Sequence, residues 1–240
     1  MTLFRNLLIG CLIVLMILWS FAHKSETQRR TFLVVFSLIG VVFYLINWAL
    51  FILKPHLILE LLPLQLCDLA IFMLPIGLMT KKEKLLDFLF YACGLGALSA
   101  LFLMAIAEKD SFYDMNFNFF FSHFAILMIP YLTVYWGMYD PKPNLGKAFE
   151  LTMELLILTA FMHGLNLFLH AQYKADAFYF FTVRRIGVEV SPLLAWFAKV
   201  IPFDYWYMTL TLPILYLYMA LVEQARKLLI RYSLMIKNSP

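Results

Sequence analysis

The sequence predicts an all-α membrane bundle of about seven transmembrane helices, with a partly helical interfacial loop before the last. Three observations carry this. Of 240 residues, 63% are apolar and 14% charged, with a mean hydropathy of +0.82. A soluble domain is about 45–50% apolar and about 25% charged, so the surplus needs a bilayer as its solvent. Seven apolar stretches approach or exceed the roughly 20 residues that cross about 30 Å of hydrocarbon. The 24 Phe and 13 Tyr suit lipid-facing walls and interfacial belts.

The first stretch, 4–22, resembles a signal peptide in having Arg5 ahead of an apolar run. Residues 7–22 are long for such a run, and Phe21-Ala22-His23 is a poor small-residue cleavage site, so a retained helix is expected. The following stretches are 31–53, 58–79, 86–107, 116–138, 148–170 and 205–225, within one domain, 1–240. Polar breaks separate them at 24–30, Lys54-Pro55-His56, 80–84, 108–114, 140–147 and the long 171–204. Within that long segment, Ser191-Pro192 reads as an N-cap followed by proline at the first helical position. A short interfacial helix over 192–201 follows, carrying Trp196 and Phe197. Pro63, Pro75, Pro130 and Pro213 are expected to kink their helices. Kinks persist where neighbours satisfy the freed carbonyls, which puts the third, fifth and seventh helices inside the bundle.

Charge sets the expected orientation. Twelve of the 19 Lys and Arg fall on the side of the C-terminus, and four of the other seven sit in the long connection. The excess of positive loops places the C-terminus in the cytoplasm. The net charge of +4 is modest and fits this anchoring rather than nucleic-acid binding.

Ionisable groups inside a span are expensive and therefore mark candidate function. The third helix carries Gln65, Cys67 and Asp68. On a continuous helix Asp68 lies about 60° from Gln65, whereas Gln65 and Cys67 are about 160° apart and share a pocket only if Pro63 bends the chain. Asp68 is the expected inward residue, either as a helix-bridging carboxyl or as part of a site. In the fifth helix, Asn116 lies seven residues before His123 on the same face. His123 is placed at about the depth of Cys67, as an interhelical hydrogen-bonding group or as a proton-transfer or ligand-contacting one. The sixth helix carries Thr152, Thr159, His163, Asn166 and His170 in a stripe about 60° wide, which must face protein or a wet cavity. Either these residues bond neighbouring helices, or His163 and Asn166 line the cavity that holds Asp68 and His123.

The three cysteines, Cys11, Cys67 and Cys93, form neither a disulfide framework nor a zinc-ribbon spacing. Membrane cysteines are mostly small apolar fillers, and apolar surroundings suppress the reactive thiolate. No paired histidine motif supplies two metal ligands on one turn, so neither a metal nor a cofactor is expected. Phosphate-loop glycines and a G-x-S-x-G elbow are absent from the sequence as well.

Several of these residues carry a resemblance. Leu62-Pro63-Leu64-Gln65-Leu66-Cys67-Asp68, then Phe120-Phe121-Ser122-His123, then Asn166 and Tyr173, resemble the YwaF-type bacterial integral membrane proteins. Pro202-Phe203-Asp204-Tyr205-Trp206 is similar to a proline- and aromatic-rich stretch of that family, and the likeness runs over roughly 55–225. The family commonly has histidine where this chain has Gln65. It is related to a eukaryotic TMEM-type phospholipid acyltransferase thought to act through a cysteine and a histidine. It is more remotely similar to small membrane hydrolases of fatty-acid esters that use a threonine and a histidine. The resemblance implies a bacterial cell membrane, Cys67 as nucleophile and His123 as base.

The expected function is therefore lipid acyl transfer or hydrolysis through Cys67 and His123, with membrane lipids as both solvent and substrate. Asn166, Gln65 or His163 are the candidate oxyanion donors, and Asp68 the candidate that orients an imidazole. A transporter or solute-binding protein with a polar midplane site is the alternative. A structural subunit whose basic loops bind anionic lipid is a third reading.

Overall fold

The structure, a computed structural model, describes residues 2–52, 62–103, 116–175, 177–183 and 192–237. The chain is a helical membrane bundle, all-α among the described residues. Helix α1 spans Thr2–Ser20, α2 Glu26–Ile52, α3 Leu66–Thr80 and α4 Glu83–Asp87. A π-helical turn, Phe88–Cys93, joins α4 to α5, Gly94–Leu103. Then come α6, Asn116–Tyr135, and α7, Leu145–Tyr173. A 3₁₀ turn at Tyr179–Phe181 precedes α8, Pro192–Val200, and a second at Trp206–Leu210 leads into α9, Thr211–Lys237.

Among the described residues, four apolar segments are long enough to cross a membrane: Glu26–Ile46, Glu83–Phe102, Leu145–Tyr173 and Trp206–Leu228. Leu8–Ser20, Leu66–Thr80 and Phe119–Tyr135 are shorter apolar helices. Large apolar side chains cover the outside, among them Trp19, Ile157, Phe161 and Leu217. Water would penalise so wide a patch, whereas lipid does not. The interior is filled by Leu33, Ile71, Leu74, Leu89, Ile126 and Ile129, contributed by α2, α3, the π-helical turn and α6.

The third helix departs from expectation. It begins at Leu66 rather than 58; residues 62–65 are not helical, and 58–61 lie outside the described residues. Pro63 explains part of this, because its ring disfavours helical geometry at Leu62. Gln65 then caps the helix in an extended conformation, and its N–H donates to Asp68 Oδ2 at 2.9 Å. The carboxylate satisfies a donor that the helix cannot. The kinks expected at Pro63 and Pro213 do not arise: Pro63 precedes α3, and Pro213 occupies the first turn of α9, where no intrahelical acceptor is lost. Pro75 and Pro130 do lie within α3 and α6, and both are buried.

At the end of the bundle where α3 gives way to α4, charges pair closely. Lys147 Nζ lies 2.8 Å from Asp87 Oδ2 and 2.7 Å from Glu83 Oε1, and Tyr139 donates its hydroxyl to Asp87 Oδ1. Lys84 bridges Glu150 at 2.7 Å and Glu154 at 2.9 Å. Arg29 donates to the carbonyls of Phe21 and Ala22, closing the open end of α1. The candidate site lies in the other half of the bundle.

Candidate functional site

A cavity of about 530 Å³ opens between α2, α3, α5, α6, α7, α8 and the start of α9. Its wall is mostly apolar; Gln65, Cys67, Asp68, Ser122 and His123 are among the polar residues that interrupt it, with Ser99, Thr159, Thr209 and Thr211. The first turn of α3 supplies Cys67 and Asp68. The beginning of α6 supplies Ser122 and His123.

Gln65 and Cys67 reach the same wall because Gln65 is not part of the helix. Its extended backbone removes the 160° separation expected of a continuous helix. Asp68 is held twice, by the Gln65 N–H and by the Tyr44 hydroxyl from α2. The expected imidazole-orienting role for Asp68 falls to another group. His123 Nδ1 lies 2.7 Å from the carbonyl oxygen of Phe119, one turn back on its own helix. A carbonyl only accepts, so Nδ1 carries the proton and Nε2 is the basic nitrogen. The imidazole is largely buried and stacks within 4.1 Å of the Phe119 ring.

The helix-six stripe divides. Thr159 reaches the cavity, although its hydroxyl donates to Leu155 O at 2.6 Å. Thr152 bonds Ala148 O and the Tyr216 hydroxyl, so it joins α7 to α9. His163 and Asn166 do not line the cavity, which corrects the expectation that they share a chamber with Asp68 and His123. They hold the segment behind it. Asn166 Nδ2 donates to Tyr179 O at 2.9 Å and to Thr182 Oγ1 at 3.0 Å, and its Oδ1 accepts from Tyr179 N at 3.0 Å. With both N–H groups used, Asn166 has none to offer an oxyanion. His163 Nδ1 lies 3.2 Å from Thr182 Oγ1. His170 is exposed near the end of α7. The side chain of Asn116 lies outside the described residues; its backbone opens α6.

Sequence reasoning missed the segment that these residues grip. Phe178, Phe180 and Phe181 all face the cavity. Phe180 and Phe181 adopt φ of 56° and 52°, a left-handed geometry that side chains resist. Outside bonds over-determine it. Gln65 Nε2 donates to Phe178 O at 3.2 Å, Phe180 N donates to Gln65 Oε1 at 2.8 Å, and the Tyr207 hydroxyl donates to Phe181 O. The signal was present as Gln65 and Asn166, two amides able to imitate a missing peptide neighbour, but nothing in the sequence named their target. Among the described residues no group of three or more His, Cys, Asp or Glu is arranged to hold a metal ion.

These features define a helical integral membrane protein with a mostly apolar chamber onto which polar residues from several helices open. The chain belongs to the TMEM164 family, whose model matches residues 1–222. Comparison with curated proteins and with solved structures returns no match.

Proposed function

We propose that this protein is a lipid acyltransferase or transacylase that works through Cys67 and His123. The observation that carries the reading is their shared place on one apolar cavity, beside a histidine whose tautomer leaves Nε2 as the base. The resemblance to YwaF-type proteins, with their acyltransferase relatives, points the same way. The apolar wall suits a fatty chain better than it suits a polar solute, which weighs against a carrier.

A phospholipid enters from the bilayer with its ester carbonyl beside Cys67. His123 Nε2 takes the thiol proton, and the thiolate attacks the carbonyl carbon. The tetrahedral oxyanion needs donors. Gln65 Nε2 has a second N–H beyond the one given to Phe178 O. The N–H groups of Leu66 and Cys67 also begin α3 without intrahelical acceptors. Collapse breaks the ester C–O bond, and the leaving alkoxide takes the proton back from His123. The result is a thioester on Cys67 and a lysolipid. A second lipid hydroxyl gives its proton to His123 Nε2 and attacks the thioester carbonyl; the C–S bond breaks, the new ester leaves, and the Cys67 thiolate takes the proton back from His123. In this reading the C-terminal end faces the cytoplasm, as its excess of Lys and Arg suggests.

The test is to incubate the full chain with a phospholipid whose acyl chain bears an alkyne tag. Hydroxylamine-labile labelling is expected on Cys67, and both Cys67→Ala and His123→Ala should abolish it. Labelling that survives Cys67→Ala removes the cysteine from the mechanism.

A further inference from the structure

We propose that the cavity takes its phospholipid from one leaflet only, the leaflet remote from the C-terminus, and that α8 with the turn after it is the surface on which that lipid docks. The identity of the occupant rests on the acyl-transfer reading above. The side from which it comes rests on the bundle itself.

Successive spans alternate in direction, so the ends of α2 and α5 lie beside the starts of α3, α6 and α9. The cavity is drawn from that end. Trp48 comes from near the end of α2 and Ser99 from the second half of α5, whereas Cys67, His123 and Thr211 come early in α3, α6 and α9. Towards the other end the helices close on one another. Leu215 is the last residue of α9 to line the cavity, and Tyr216 beyond it bonds Thr152 of α7 at 2.6 Å. The Tyr131 and Tyr218 hydroxyls lie 2.6 Å apart, and that of Tyr218 donates to Phe90 O at 3.4 Å. These contacts tie α6, α7, α9 and the π-helical turn together between the cavity and the C-terminal half.

Depth decides which lipid can react. The ester groups of the two leaflets sit at opposite borders of the hydrocarbon, about 30 Å apart. Cys67 is in the first turn of α3, about 20 Å along the helix from Thr80. The exposed Lys81 and Lys82 follow Thr80 and mark the border on the C-terminal side. A lipid of the near leaflet presents its ester close to the level of Cys67. One of the far leaflet would have to bring its headgroup across the hydrocarbon core.

The outer surface at the cavity end suits such a lipid. Leu194 and Phe197 of α8 are buried and line the cavity. The opposite face of α8 exposes Trp196, Lys199 and Val200, at the i, i+3, i+4 spacing of a single helix face. Phe203 and Trp206 are exposed just after it, and Trp206 opens the last span, whose exposed Leu217 and Leu221 meet lipid. Tryptophan settles at headgroup level, and a lysine beside it has the charge that a lipid phosphate attracts. An element apolar on its inner face and on its outer face lies between the cavity and the leaflet.

The experiment places the full chain, carrying a C-terminal affinity tag, in vesicles at low protein density. Tag capture separates vesicles with the C-terminus outside from those with it inside. Phosphatidylcholine with an alkyne-tagged acyl chain is then exchanged into the outer leaflet alone. Vesicles with the C-terminus inside should gain hydroxylamine-labile label on Cys67, and those with it outside should lose that labelling over the same early interval. Equal initial rates in the two populations overturn the proposal. Trp196→Glu should lower labelling from the vesicle donor and leave labelling from the same lipid in detergent unchanged. Equal loss from both donors removes the docking role of α8. A second arm needs no acyl transfer: Cys67→Ala is irradiated with a phosphatidylcholine that carries a photoreactive group beside its glycerol, again in the outer leaflet alone. Adducts at 192–210 only where the C-terminus is inside support one-sided entry; if the wild type then forms no thioester, the acyl-transfer reading falls and the entry stands. Equal adducts in both populations, or none at 192–210, sink the entry.

Discussion

The amide of Gln65 grips the backbone of a segment 115 residues further along: Phe180 N donates to Oε1 at 2.8 Å while Nε2 donates to Phe178 O at 3.2 Å. One side chain thus caps α3 next to Cys67 and fixes the aromatic wall of the cavity. A carboxamide donates from its nitrogen and accepts at its oxygen, so one side chain serves both backbone groups. Gln65→Leu should remove both bonds, taking the acceptor from Phe180 N and leaving Phe178 O with Phe181 N, and destabilise the protein by on the order of 2 kcal/mol. Gln65→Glu keeps the acceptor and should fall between wild type and Gln65→Leu. Thermal unfolding in detergent, with hydrogen exchange read over 177–183, checks the order. Equal stability of all three would mean that the contact contributes nothing.

His123 separates folding from chemistry. His123→Gln keeps an amide N–H that can reach the Phe119 carbonyl, whereas the base is lost. Thioester formation should drop by about 10²–10⁴-fold, with thermal unfolding close to wild type. His123→Ala should lose the same activity and some stability. A His123→Gln protein that still forms the thioester at the wild-type rate would make another group the base.

Much of the fold was legible in the sequence for a simple reason: lipid demands long apolar helices, and hydropathy reads length and apolarity directly. The short helix before the last was legible from Ser191-Pro192, and α8 begins at Pro192. The start of α3 was not, because hydropathy cannot see that Pro63 and the Gln65–Asp68 cap begin the helix at Leu66, after the apolar run has begun. The same error hid the shared wall of Gln65 and Cys67, since a helical wheel applies only inside a helix. Cys67, Asp68 and His123 could be singled out by their chemistry. The split of the α7 stripe could not, because periodicity gives a face and not the object that the face meets. Phe178, Phe180 and Phe181 carried no signal at all: in a chain with 24 Phe, one more aromatic cluster is unremarked.

Asn166 is 1% exposed and makes three hydrogen bonds to the segment behind the wall. Asn166→Leu is close in size but takes the Oδ1 acceptor from Tyr179 N and leaves Tyr179 O with only the 3.5 Å bonds from Thr182. Loss of about 1–3 kcal/mol is expected, the cost of one stranded buried group. The loss should be local first: cleavage or exchange at 177–183 should rise before the bundle unfolds. If that segment keeps its protection, other contacts hold it and the amide is incidental.

The opposite end of the bundle offers a test that should leave the chemistry alone. Asp87 is 6% exposed, with one oxygen on the Tyr139 hydroxyl and the other 2.8 Å from Lys147 Nζ. Neither residue lines the large cavity. Lys147→Met removes the counter-charge and strands a buried carboxylate, a change that is destabilising by about 3–5 kcal/mol in a fully buried pair. The lysine side chain is 18% exposed and water reaches it, so the lower end of that range is expected. Adding Asp87→Asn removes the stranded charge while an amide oxygen still accepts from Tyr139. The double variant should therefore regain most of the lost stability, a non-additivity that arises only when two sites are coupled. Thermal unfolding of the two single variants, the double variant and wild type measures that coupling. Thioester formation per folded molecule should match wild type throughout, because the ion pair stabilises the bundle and touches nothing in the cavity. Additive losses would show Asp87 and Lys147 to be energetically independent neighbours.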